Sequence, residues 1–139
     1  MKIKYKLQTL LSFLKVNYFI LFNLYKKKKI IIFYNPNPKL TYITKIYINY
    51  FLDSFKKDFK VFFLCHPGDV KDKSIKITQK GCKYLFGVDI FLTTYVCDFF
   101  PQKSKKIYIH HDIYDTPLTN DKNYNKLVKK FLVYDYIFT

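Results

Sequence analysis

An α/β domain, with a parallel sheet covered by helices on both faces, is the fold class this sequence predicts, and three observations carry the prediction. Short runs of β-branched and aromatic residues recur from Ile30 to the end of the chain. Longer stretches with apolar residues at helical spacing separate them, the alternation that crossover-connected strands require. The 139 residues, 50% hydrophobic and 21% aromatic, hold enough apolar mass for one core of ordinary size and argue against disorder.

Each element has its own signal. Residues 1–29 read as one basic, amphipathic N-terminal helix: Leu7, Leu10, Leu11, Leu14 and Tyr18 recur at helical spacing, and lysines flank them on both sides, ending in Lys26 to Lys29. A membrane span needs about 20 mainly apolar residues, and Lys15, Asn17 and Asn23 interrupt this run. The helix is therefore expected to lie on an anionic lipid surface or to pack on the domain rather than to cross a bilayer. No small-residue cleavage site follows it.

Residues 30–139 form the domain proper. Ile30 to Tyr34 is the first strand, ended by Asn35-Pro36-Asn37-Pro38, where proline removes backbone donors and turns the chain away from helix. Thr41 to Phe59 reads as a helix with Ile43, Ile46, Tyr50 and Phe55 on one side. Val61 to Leu64 is the second strand and stops at Cys65-His66-Pro67-Gly68. A short helix around Gln79 to Phe86 precedes a strand at Val88 to Thr93, Ile107 to Ile109 is the next, and Tyr136 to Phe138 the last. Between those two, Asp121 to Val133 reads as a helix that Asn120 or Asp121 caps. An end on an apolar strand reads as truncation of a longer protein.

Composition narrows the function classes. All 25 basic residues are lysine and all 10 acidic ones aspartate, for a net charge of +15. Ala, Arg, Glu and Trp are absent, which points to coding bias as the source of much of that charge. Whatever its origin, the charge favours anionic surfaces and phosphorylated ligands. Nucleic acid is the weakest of these partners, because arginine, the usual bidentate reader of guanine, is missing and no binding motif interleaves aromatics with basic residues. Three cysteines with no CxxC spacing indicate neither a disulfide framework nor a zinc site, and fit a reducing cytoplasm.

The chemistry-bearing stretch is Thr93 to Asn120. His110, His111, Asp112 and Asp115 follow directly on Lys105-Lys106-Ile107-Tyr108-Ile109, and Pro117 stops further regular structure. Polar groups are thus gathered where a parallel strand ends, the edge at which open α/β sheets bind ligands. An imidazole titrates near neutral pH and suits proton abstraction from a hydroxyl, and a neighbouring carboxylate orients it. His111 with Asp112 or Asp115 offers those parts, with Lys103, Lys105 and Lys106 as nearby positive charge. Metal binding by these residues rests only on loose spacing, and no metal or cofactor is expected.

An apolar strand ending in Thr93-Thr94, then Pro101-Gln102-Lys103-Ser104-Lys105-Lys106, then a strand running into His-His-Asp and Asp115-Thr116-Pro117-Leu118, resembles the amino-terminal half of the CDP-glycerol glycerophosphotransferase family of surface-polymer synthesis. The likeness is specific over Asp89 to Asn120, weaker over Ile30 to Leu64 and absent before Lys26. The family's His-Gly-Thr-Pro tetrad is here His111-Asp112-Ile113-Tyr114-Asp115-Thr116-Pro117. The resemblance implies a Rossmann-like acceptor lobe of a two-lobed, GT-B type transferase, placed in the cytoplasm and peripheral at the inner face of the cell membrane. It further implies His111 as base on the acceptor hydroxyl, Asp115 as its orienting partner, and His110, Asp112, Thr116, Lys103, Lys105 and Lys106 as substrate-binding residues. The partners it implies are a lipid-linked acceptor and CDP-glycerol, the latter held by a second lobe, since Gly68, Gly81 and Gly87 make no glycine-rich phosphate loop. Two other readings compete: a catalytically silent α/β fragment or partner-binding module, and a glycosyltransferase lobe of surface-polysaccharide synthesis.

Overall fold

Six strands form one all-parallel sheet, in the order β3-β2-β1-β4-β5-β6. The computed structural model of the chain describes residues 2–35, 58–66, 75–109 and 124–138. The elements are α1 (Lys2–Tyr25), β1 (Lys29–Asn35), β2 (Phe59–Cys65), β3 (Ile75–Lys76), α2 (Gln79–Cys82), β4 (Ile90–Thr93), β5 (Lys105–Ile109), α3 (Tyr124–Phe131) and β6 (Tyr136–Phe138).

The expected strands are all present, each within a few residues of its expected bounds, and the two-residue β3 is added to them. It carries no apolar run of its own and exists because Ile75 and Lys76 pair with Leu64 and Cys65. The helix read over Thr41 to Phe59 lies outside the described residues except at its end, where Asp58 is in a turn and Phe59 already begins β2. The short helix after Ile77 is shorter than expected: Thr78 caps it by accepting from the Gly81 N–H at 3.1 Å, and it ends at Cys82. Helix α3 covers Tyr124–Phe131 of the expected 121–133, with Leu132 and Val133 in a turn and 121–123 outside the described residues.

Alternation along the strands sorts the core. Ile30, Ile32 and Tyr34 of β1, Phe62 and Leu64 of β2 and Phe91 of β4 share one face with Val16 and Ile20 of α1. Tyr108 of β5 lies on the same face and meets Phe131 of α3 edge-on, ring centroids 5.0 Å apart. On the opposite face Phe33 and Asn35 are also fully buried, so both faces of the central strand are covered, as a parallel sheet requires.

Helix α1 buries a different face from the one its leucine spacing suggested. Phe13, Val16 and Ile20 turn toward the sheet, whereas Leu7, Leu11, Leu14 and Tyr18 are exposed. Asn17 and Asn23, which interrupt the apolar run in sequence, are buried, and each bonds back along the helix: Asn17 Nδ2 to the Phe13 carbonyl at 3.3 Å and Asn23 Nδ2 to that of Phe19 at 2.7 Å. The helix ends when Lys27 takes a left-handed φ of 57° and the Lys28 N–H reaches the Asn23 carbonyl at 3.0 Å, a Schellman closure with lysine where glycine is usual. Among the described residues no helix is long and apolar enough to cross a membrane.

Two aspartates set the strand starts. Asp89, just before β4, accepts from the Ile30 N–H at 2.7 Å, and Asp135, just before β6, accepts from the Lys106 N–H at 2.7 Å. Each carboxylate thereby holds the second amide of the neighbouring strand. Between α2 and β4, Gly87 has φ +63°, and a Cβ there would stand 2.5 Å from Leu24 Cδ1. Substituting alanine at Gly87 is expected to cost about 1–3 kcal/mol from backbone strain and displacement of Leu24. Urea denaturation reads this directly, and an unchanged midpoint would show that α1 yields without loss.

Candidate functional site at the carboxyl edge of the sheet

Strand order runs outward in opposite directions from β1 and β4: β2 and β3 lie on one side, β5 and β6 on the other. The strand order thus reverses between β1 and β4, and in open α/β sheets the carboxyl edge at such a switch point is where ligands bind. The polar groups there are Asn35, fully buried at the end of β1, and Thr93 and Thr94, both buried at the end of β4. Cys65 closes β2, and half-buried His66 follows it at the same edge. Lys76 Nζ approaches Cys65 Sγ at 3.5 Å.

The exit from β4 is held firmly. Thr93 Oγ1 accepts from the Tyr95 N–H at 3.1 Å and lies 2.9 Å from the Tyr95 carbonyl, to which it donates. Tyr134, brought in from the segment before β6, accepts from the Cys97 N–H at 2.8 Å and donates to the Tyr95 carbonyl at 3.3 Å. Further along, Lys130 pairs with Asp98 at 2.7 Å and the Ser104 hydroxyl donates to the Pro101 carbonyl at 3.0 Å. Burial pushes the Cys97 thiol and the Tyr134 hydroxyl above their ordinary pKa values, and burial, reinforced by the nearby Cys97, does the same to Cys82. Cys97 is thus a protonated structural thiol and not a nucleophile.

Of the residues expected to act, His110, His111, Asp112, Asp115 and Thr116 lie outside the described residues. Strand β5 delivers the chain to them, with Ile109 its last residue at the carboxyl edge. Lys103, Lys105 and Lys106 occupy the other end. Lys105 opens β5, four residues before Ile109, a separation of roughly 13 Å along a strand. Lys103 sits in the turn before it, and Lys106 Nζ lies 5.6 Å from the Phe100 ring centroid. Lys103 and Lys105 line the amino edge of the sheet, and the residues after Ile109 expected to act with them lie outside the described residues.

Asn35 and the Tyr134 clamp are candidate-site features that sequence reasoning missed. Asn35 looked like a loop residue before proline, and Tyr134 fell between the expected helix and the last strand with no role of its own. Only the strand order, which no single sequence states, makes their positions meaningful. Comparison with known protein families, curated proteins and solved structures finds no match.

Proposed function

We propose that this chain is the acceptor-side lobe of an enzyme that transfers a glycerol phosphate unit from a CDP-linked donor to a lipid-linked or surface-glycan acceptor. The observation that supports this reading is the reversal of strand order between β1 and β4, with Asn35, Thr93 and Thr94 buried at its carboxyl edge and β5 leading from that sheet into His110-His111-Asp112. In this reading His111 takes the proton from the acceptor hydroxyl, and Asp115 holds the imidazole and stabilises its cation. The acceptor oxygen then attacks the glycerol-bearing phosphorus, and the bond to the departing nucleotide breaks in line. A second lobe holds the donor, because nothing in these 139 residues makes a glycine-rich phosphate cradle. A lipid-linked acceptor places the lobe in the cytoplasm, peripheral at the inner face of the cell membrane, with α1 toward it.

Two measurements test this. Labelled CDP-glycerol incubated with the chain and a lipid-linked acceptor is expected to give no transfer, and robust transfer by these residues alone would refute the two-lobe reading. Titration of the isotopically labelled chain with a short glycerol phosphate oligomer is expected to shift amide resonances of Asn35, His66, Thr93 and Thr94. Absence of any shift at that edge would favour a catalytically silent module.

A further inference from the structure

The end of the sheet opposite the candidate site carries a second feature. Between the amino ends of β1, β2, β4 and β5 lies a hollow of about 550 Å³, lined among others by Lys29, Asp89, Gln102, Lys103, Lys105 and Leu24. It adjoins another of about 450 Å³ that shares Gly87, Gln102 and Lys103 and adds Lys83. Hollows of this size accommodate small ligands. Asp89, the carboxylate among the lining groups, already accepts from the Ile30 N–H, and Lys105 stands 3.9 Å from Asp135, outside the lining. Lys29 and Lys103 are exposed, and Lys103 holds φ +62°, an uncommon backbone state for a non-glycine residue.

Leu24 connects this hollow to helix α1. The outer face of α1 presents Leu7, Leu11, Leu14, Tyr18, Leu21 and Tyr25, each between 54% and 87% exposed. At 100° per residue these fall in one stripe, which runs roughly 27 Å from Leu7 to Tyr25. Lys15 and Lys26 flank it, their ammonium groups 5.9 Å and 4.3 Å from the Phe19 and Phe22 ring centroids. Because α1 is apolar both toward the sheet and away from it, the helix is built to be covered on two sides. A second copy is a poor cover, as two chains of +15 repel each other. An anionic bilayer complements the charge and takes an apolar stripe bordered by lysine.

We propose that α1 lies along an anionic membrane surface with its outer stripe in the acyl boundary, and that the lysine-lined hollow at its carboxyl end receives the phosphate of an anionic lipid headgroup. The hollow lies at the carboxyl end of the same helix that carries the stripe, with Leu24 in its wall. This deepens, and rests on, the peripheral placement proposed above, and it is independent of the transfer chemistry at the other edge.

Flotation of the full chain with phosphatidylcholine vesicles, with and without phosphatidylglycerol, tests it. The chain is expected to float with the phosphatidylglycerol vesicles. Lys29→Gln/Lys103→Gln is expected to weaken that binding roughly tenfold to thirtyfold. The charge-matched control Lys80→Gln/Lys129→Gln, at exposed positions that do not line the hollow, is expected to change it far less. Leu11→Ser/Leu14→Ser, also at exposed sites, is expected to abolish flotation while the circular dichroism of the fold is kept. Equal losses in the two lysine pairs would overturn the headgroup site and leave peripheral placement standing as diffuse charge attraction. No flotation of the unaltered chain would overturn both. Saturable binding of glycerol phosphate without vesicles, lost in Lys29→Gln/Lys103→Gln and unaccompanied by flotation, would assign the hollow to a free phosphate ester and overturn the lipid source.

Discussion

Truncating Phe91 to alanine is expected to lower stability by about 3–5 kcal/mol, the range for deleting a buried aromatic ring. Phe91 is fully buried in β4, which pairs with β1 on one side and β5 on the other. Its ring stacks on Tyr34 at 6.0 Å and meets Phe100 edge-on at 5.7 Å. Phe100 in turn contacts Tyr134 at 5.3 Å, and Tyr134 contacts Tyr108 at 5.6 Å. The cavity left by the missing ring would open beneath hydrogen-bonded strands that cannot close in, so little of the loss is recovered by relaxation. The same chain of rings supports Tyr134, whose hydroxyl clamps the β4 exit, and a looser clamp should broaden the Thr93 and Tyr95 amide resonances. Phe63→Ala is the comparison: this ring, half-buried on the opposite face and 5.9 Å from Phe33, should cost clearly less. Urea midpoints at unchanged m-value decide between them. A Phe91→Ala loss under about 1 kcal/mol would mean that the ring cluster is not the organising core.

Much of this architecture was legible in the residues because the strands are short apolar runs set off by polar or proline-bearing stretches. Ile30 to Tyr34, Val61 to Leu64 and Ile107 to Ile109 are recognisable for that reason, and the register confirms their parallel pairing. What stayed illegible depends on contacts across the chain. Ile75 and Lys76 become a strand only through β2, and the strand order places Asn35 at the switch point although the residue after it is a proline. Helix α1 shows a further limit. Its apolar residues surround it: spacing picked out the leucine stripe, and the sheet took the side with Phe13, Val16 and Ile20, where buried Asn17 and Asn23 donate to carbonyls of the helix itself.

Alkaline conditions are expected to unfold this domain much more readily than its lysine-rich surface suggests. Cys82, Cys97 and Tyr134 all have pKa values raised in the fold, chiefly by burial, and Cys82 and Tyr134 also feel the nearby Cys97. In the unfolded chain the thiols lose their protons near pH 8.5 and the phenol near pH 10. Above those values the unfolded state binds fewer protons than the native state, so unfolding free energy falls as pH rises. Each such group contributes a slope of about 1.4 kcal/mol per pH unit until its folded pKa is reached. The stabilising effect is therefore complete below about pH 8 and is lost progressively from there upward. With two thiols in play first and the phenol joining later, stability is expected to fall continuously as pH rises above about 8. Tyr134→Phe separates the contributions. Loss of its bonds to the Cys97 N–H and the Tyr95 carbonyl lowers stability at every pH, while the slope above about pH 10 becomes shallower than in the unaltered chain. Cys97→Ala should likewise flatten the earlier part of the decline. Urea midpoints that stay level between about pH 8 and 10.5 would mean that these groups ionise as freely in the fold as outside it, and that the Cys97–Tyr134 corner at the β4 exit is open to water.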